Sequence, residues 1–285
     1  MIAQEIDAAV SPVTRTLIAL RNEVRKGLRF AWSERLQILI ELPMFAVFIL
    51  LLGPLLGQGH RVATGQAEWS LHSRTTSAMV VWFVPFIFFY MQVVKMFWRL
   101  LGEIQSGTIE QVYLSPLPPW LVAAAGRVLA AFLETLFVAA ATYGLVSAFV
   151  TIDLHWTVAA VLPVAAIMVS GMGLSLMIAG ATLVYKRIEL AINGLLMTMM
   201  IFSASALPLI AVPAWWAAIA HAFPLTDGVG SLYRVMLANQ SVTTLWGIGG
   251  LVPLLTVSGA YLLAGIGAFV LGERVAKRRG TLGRY

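Results

Sequence analysis

The chain has no cysteine among its 285 residues, which excludes disulfides, thiolate metal sites and cysteine nucleophiles. Charge is scarce as well. Asp, Glu, Lys and Arg make up 11% of the residues, against about 25% in soluble domains, too little to coat a globule in water. Lysine occurs only at positions 26, 95, 186 and 277, and none follows a glycine, so the phosphate loop G-x-x-x-x-G-K-[ST] cannot form. The histidines His60, His72, His155 and His221 never combine as H-E-x-x-H, which removes the zinc-hydrolase pattern. No secretory signal is expected at the start, because the first 35 residues mix both signs of charge and lack a compact apolar core.

What is there is apolar. Hydrophobic residues make up 60% of the chain, and the mean hydropathy is +0.87. Six runs, roughly 36–57, 76–100, 120–150, 157–185, 189–211 and 247–271, each cover the ~20 residues that a helix needs to cross ~30 Å of hydrocarbon. The expectation is an all-α integral membrane protein with six transmembrane helices. The third and fourth runs are long enough to tilt or to extend beyond the lipid.

Sixteen of the nineteen basic residues fall on one side of this arrangement, and only Arg61, Arg74 and Arg234 fall on the other. The positive-inside rule then makes both termini cytoplasmic. It also accounts for the net charge of +6 without nucleic acid. Residues 1–35 read as a cytoplasmic amphipathic interface helix, 36–271 as the transmembrane domain and 272–285 as a basic cytoplasmic tail.

In the N-terminal helix Val13, Leu17, Leu20, Val24, Leu28 and Ala31 form one stripe. Arg15, Asn22, Arg25, Lys26 and Arg29 lie opposite, and Arg21 adds a further positive charge. Ser11 and Pro12 suit an N-cap and first turn. Such a helix fits the inner membrane surface and its lipid, or a cytoplasmic protein.

Residues 212–237, between spans five and six, are too polar to cross and too apolar for free solvent. Pro213, Pro224, Gly228 and Gly230 are expected to divide them into short helices. These would form an outer re-entrant hairpin, with Trp215 and Trp216 at the interface. Within the spans, Arg127 and Glu134 lie two turns apart on one face. They suit either a substrate or ion pathway or a packing pair with Arg127 snorkelling to the headgroups. Ser170 reads as a small packing residue. Ala260, Ala264 and Ala268 read as close helix contacts.

Residues 102–120, GEIQSGTIEQVYLSPLPPW, interrupt the apolar pattern between spans two and three. Thr108 with Gln111 matches a capping box, and Pro116, Pro118 and Pro119 end what it starts. The expectation is a two-turn helix over 108–114, too short to stand without packing. It is either an ordinary turn on its own spans or a partner-facing element.

Glu103, Gly107–Thr108, Glu110 and Ser115–Pro116 in this loop resemble the mark of the permeases of type-2 ATP-binding-cassette exporters. Ile109 stands where leucine is more usual. The likeness extends over most of the chain: a basic amphipathic helix before span one, six spans, and an outer hairpin with Pro224 and then Arg234. The resemblance implies that about 103–116 is a coupling helix, with Tyr113 among its contact residues, seated on a separate ATPase subunit. It implies that the interface helix, with Arg21, Arg25 and Arg29, lies beside it. It further implies a second permease half, identical or paralogous, and ATP and Mg held by the ATPase, with no cofactor on this chain. Function would then be export of a hydrophobic or amphipathic cargo across a bacterial or archaeal inner membrane. The rival readings are a secondary transporter or channel subunit without an ATPase, and an intramembrane enzyme.

Overall fold

A computed structural model describes residues 12–62, 74–109, 126–207, 212–247 and 250–280. These form helices α1 (Pro12–Ser33), α2 (Arg35–Val62), α3 (Arg74–Gln105), α4 (Arg127–Phe149), α5 (Val161–Val184), α6 (Glu189–Ser203), α7 (Ala214–Ala220), α8 (Pro224–Met236), α9 (Val242–Leu245) and α10 (Leu251–Arg279). One-turn 3₁₀ segments precede α5 (Val158–Ala160) and follow α6 (Ala204–Ala206).

Five of the helical stretches are long and apolar enough to cross a membrane: Thr75–Gln105, Arg127–Phe149, Val158–Val184, Glu189–Ala206 and Leu251–Arg279. The chain is therefore a multi-span helical membrane protein, an all-α bundle. The first apolar run, 36–57, lies in α2, which is not among the five.

α3 is the central helix. Its most apolar window is 78% buried, against 22% for that of α10, and it packs on α2, α4, α5 and α8. Phe88, Phe89, Ile87, Met91 and Val93 fill the core beneath it, and Trp82 Nε1 donates to Ser203 Oγ on α6 at 2.9 Å. Pro85 sits inside α3 and removes one helical donor, a loss that spanning helices tolerate where neighbours pack closely.

The most extensive contact joins α5 to α10, and glycine makes it possible. A Cβ on Gly173, Gly180, Gly265 or Gly272 would collide with the backbone of the facing helix. The alanine stripe expected to make close contacts does not: Ala260 and Ala264 are exposed, and only the Ala268 carbonyl lies against Gly180. Bare backbone approaches more closely than a methyl-bearing face, so packing selected the glycines.

The ends of two segments are now defined. The tail begins as helix, because α10 continues to Arg279. A Glu273–Lys277 pair at 2.6 Å braces its last turns, and Gly280 caps it in the left-handed region at φ 63°. In 212–237, Pro213 and Pro224 do open α7 and α8. Gly228 and Gly230 instead lie within α8, where Gly228 admits Ile167 of α5.

The ends of the bundle differ in chemistry. The C-termini of α3, α5 and α10 and the start of α4 gather around Leu100, Ile104, Val128, Leu183 and Ala276. Lys26, Lys95, Arg99, Arg127, Lys277, Arg278 and Arg279 collect there too. The opposite end holds α7, α8, Trp156 and Trp215.

Candidate functional site

At the charged end, α3 carries Gln92, Lys95, Arg99 and Glu103 at spacings of three, four and four, which places them on one face of the helix. α4 meets that face with Arg127, Thr135 and Glu134, and α1 lies across α4. Gly27 permits this crossing, since a Cβ there would strike Ala130. A Cβ on Gly126 would lie 2.7 Å from that of Glu23.

Seven ionic side chains interlock in the space between. Glu103 pairs with Arg127 and with Lys26 Nζ at 2.7 Å. Glu134 pairs with Arg99 and with Lys95 Nζ at 3.3 Å. Lys95 also reaches Glu34, in the turn between α1 and α2, at 2.7 Å. Arg99 Nη2 donates to the Gly27 carbonyl at 3.4 Å. Beneath them, Gln92 donates to the Val128 carbonyl and accepts from Thr135 Oγ1, both at 3.1 Å. The side chains of Lys95, Arg99, Arg127 and Glu134 are no more than 8% exposed.

Charge buried this deeply is tolerated only when paired, so these bonds fix where α1, α3 and α4 meet. Four cations face three carboxylates. Arg99 Nε and Nη1 have no hydrogen-bond partner among the described residues.

The network leads into a turn. α3 stops where Gly107 takes φ 69°, a left-handed conformation that favours glycine. The Gly107 N–H donates to the Ile104 carbonyl at 3.2 Å and that of Ser106 to Gly102 at 2.9 Å. Thr108 Oγ1 lies 3.0 Å from Ser106 Oγ and 3.4 Å from the Glu103 carbonyl. Ile109 then turns inward, buried against the core shared with α5 and α10.

Of the residues singled out from sequence, Glu103 and Arg127 meet, and Gly107 and Thr108 follow one turn later. Glu134 belongs to the same network, through Lys95 and Arg99. Arg21, Arg25 and Arg29 are exposed on α1. Glu110, Tyr113, Ser115 and Pro116 lie outside the described residues. From sequence, Lys95 and Arg99 served only to orient the chain, Lys26 also lay on the polar face of the N-terminal helix, and Glu34 was not singled out. For Lys95 and Arg99 the available signal was the polar stripe they form with Gln92 and Glu103 along α3.

A second polar cluster lies at the opposite end. His221 Nδ1 is 2.6 Å from Asp227 Oδ1, beside a cavity of about 220 Å³ that Ser205, Thr226, Ser231 and Arg234 also line. Burial pushes the Asp227 carboxyl pKa upward, while the His221 bond and the Arg234 charge pull it down. No group of three or more potential metal ligands occurs among the described residues. No protein-family model matches the chain, and comparison with curated proteins finds no significant relative.

Proposed function

We propose that this chain is the membrane-spanning permease subunit of a type-2 ATP-binding-cassette exporter, moving a hydrophobic or amphipathic cargo out of the cytoplasm. The observation that carries the reading is the ion network. It joins an amphipathic helix, the Gly107 turn and two spans into one mechanical unit. Motion imposed on α1 or on the turn passes directly to α3 and α4, because separating any one of these helices exposes a buried charge.

In this reading the charged end faces the cytoplasm, α2 supplies the sixth crossing, and both termini are cytoplasmic. The α7–α8 hairpin re-enters the outer leaflet. A separate ATPase binds ATP and Mg and seats against the segment running from Gly107 and Thr108 through Glu110, Tyr113, Ser115 and Pro116. Arg21, Arg25 and Arg29 lie beside it at the lipid surface. A second permease half, identical or paralogous, completes the pathway in a bacterial or archaeal inner membrane.

The test is purification of the tagged chain from its native membrane under mild detergent. A soluble ATPase should co-purify, and a cysteine introduced at Thr108 or Glu110 should crosslink to it. The chain alone should not hydrolyse ATP. Transport or conduction by the purified chain without nucleotide would replace this reading with a channel or secondary transporter.

A further inference from the structure

A cavity of about 290 Å³ lies toward the end opposite the ion network, between α3, α4, α5 and α8. Val84 and Phe88 of α3, Ala139 and Ala140 of α4, and Ile167 and Met168 of α5 form much of its wall. Phe88 and Ile167 are buried, whereas Ala140 and Leu136 are exposed on the outside of the bundle. The cavity therefore opens sideways along α4.

Its polar side-chain groups are at the rim. Trp156 Nε1 donates to the Tyr143 hydroxyl at 3.3 Å, with the two rings edge to face at 5.4 Å. The segment leading to Trp156 is fastened to α3 and to α8. The Asp153 N–H donates to Ser77 Oγ at 3.1 Å, and the His155 N–H donates to the Met236 carbonyl at 2.9 Å.

A buried water needs two to four polar partners, and this wall offers none. The medium beside the exposed face of a spanning helix is hydrocarbon, which needs no such partners. An indole and a phenol at one end mark the level where apolar chains meet headgroups. We propose that this cavity binds the aliphatic chain of an amphiphile, entering beside α4 past Leu136 and Ala140, with its headgroup at the Tyr143–Trp156 pair. The chain belongs either to a bilayer phospholipid or to a free single-chain amphiphile. The proposal rests on the membrane setting of the bundle and is independent of the ATPase reading.

The experiment uses the full chain in phosphatidylethanolamine–phosphatidylglycerol vesicles. These are doped with a phospholipid or, separately, a fatty acid bearing a diazirine midway along its chain. After photolysis, adducts should concentrate at Ala139, Ala140 and Met168 over Leu263, which is exposed on α10. Ala140→Trp, filling the mouth from an exposed position, should lower that labelling about tenfold relative to Leu263. Its thermal midpoint should stay unchanged. Leu136→Trp serves as a second blocking variant should Ala140→Trp fail to fold. Labelling by the phospholipid assigns the chain to the bilayer, and labelling by the fatty acid assigns it to a free amphiphile; either supports the site. Equal labelling of the cavity and Leu263, or labelling indifferent to a folded blocking variant, overturns it.

Discussion

Glu103 holds two partners whose bonds differ in worth. The Lys26 side chain is 41% exposed, so its pair belongs with surface ion pairs worth about 0–1 kcal/mol. Arg127 is 4% exposed, and removing one partner of a buried ion pair costs about 3–5 kcal/mol. Thermal unfolding in one fixed lipid mixture should therefore show a small shift for Lys26→Ala and a large drop for Glu103→Gln. Adding Arg127→Met to Glu103→Gln should recover part of the loss, because the buried positive charge is gone.

Gly107 poses a different problem, since no atom lies within 4 Å of a Cβ built there and only its φ resists substitution. A side chain in the left-handed region costs roughly 1–2 kcal/mol, confined to the turn. On the permease reading proposed above, Gly107→Val should reach the membrane folded yet lose ATP-driven transport. Normal transport rates in reconstituted vesicles would remove the turn from the mechanism.

Asp227 supplies a pH prediction. Burial raises its folded-state pKa, so its contribution to stability is greatest below the ordinary carboxylate range and declines as pH rises through the folded value. Asp227→Asn lacks that decline. The variant's thermal midpoint should therefore gain on the natural chain's between acid and neutral pH.

At the level of whole helices, α5 and α10 show why composition alone did not locate the contact. Ala260, Ala264 and Ala268 recur every fourth residue, while Gly265 and Gly272, like Gly173 and Gly180, recur every seventh. Both patterns present small residues along a helix, and each reads as a packing face. Which one packs depends on the partner, and the partner became visible only when the helices were docked. Gly272→Leu should force the helices apart and destabilise by at least the ~1–3 kcal/mol of overpacking. Ala264→Leu on the exposed face should stay within about ±0.5 kcal/mol. Denaturant midpoints of the two variants provide the measurement. Residues 212–237 follow similar logic: Pro213 and Pro224 acted locally and were readable, whereas the role of Gly228 depends on Ile167, sixty-one positions away.

The whole bundle gathers most of its described basic residues at the end that holds the ion network, which makes orientation testable on exposed positions. Gln240→Cys should react with an impermeant thiol reagent in intact cells, and Ser106→Cys only after permeabilisation. The native chain contributes no background, having no cysteine. The reverse pattern would invert the assigned topology.

Helical class, membrane residence and most span positions were already present in the order of residues. Those properties come from hydrophobicity summed over about twenty neighbours and from proline, which acts within one turn. The ion network was not readable in this way. Lys26, Glu34, Lys95, Arg99, Glu103, Arg127 and Glu134 are spread over more than a hundred positions. A charged residue near a span end is equally compatible with snorkelling to lipid. Close approach at Gly27 and Gly126 brought α1 against α4 and left Lys95, Arg99, Arg127 and Glu134 almost no solvent to face. Pairing followed from burial, and burial is a property of the packed helices.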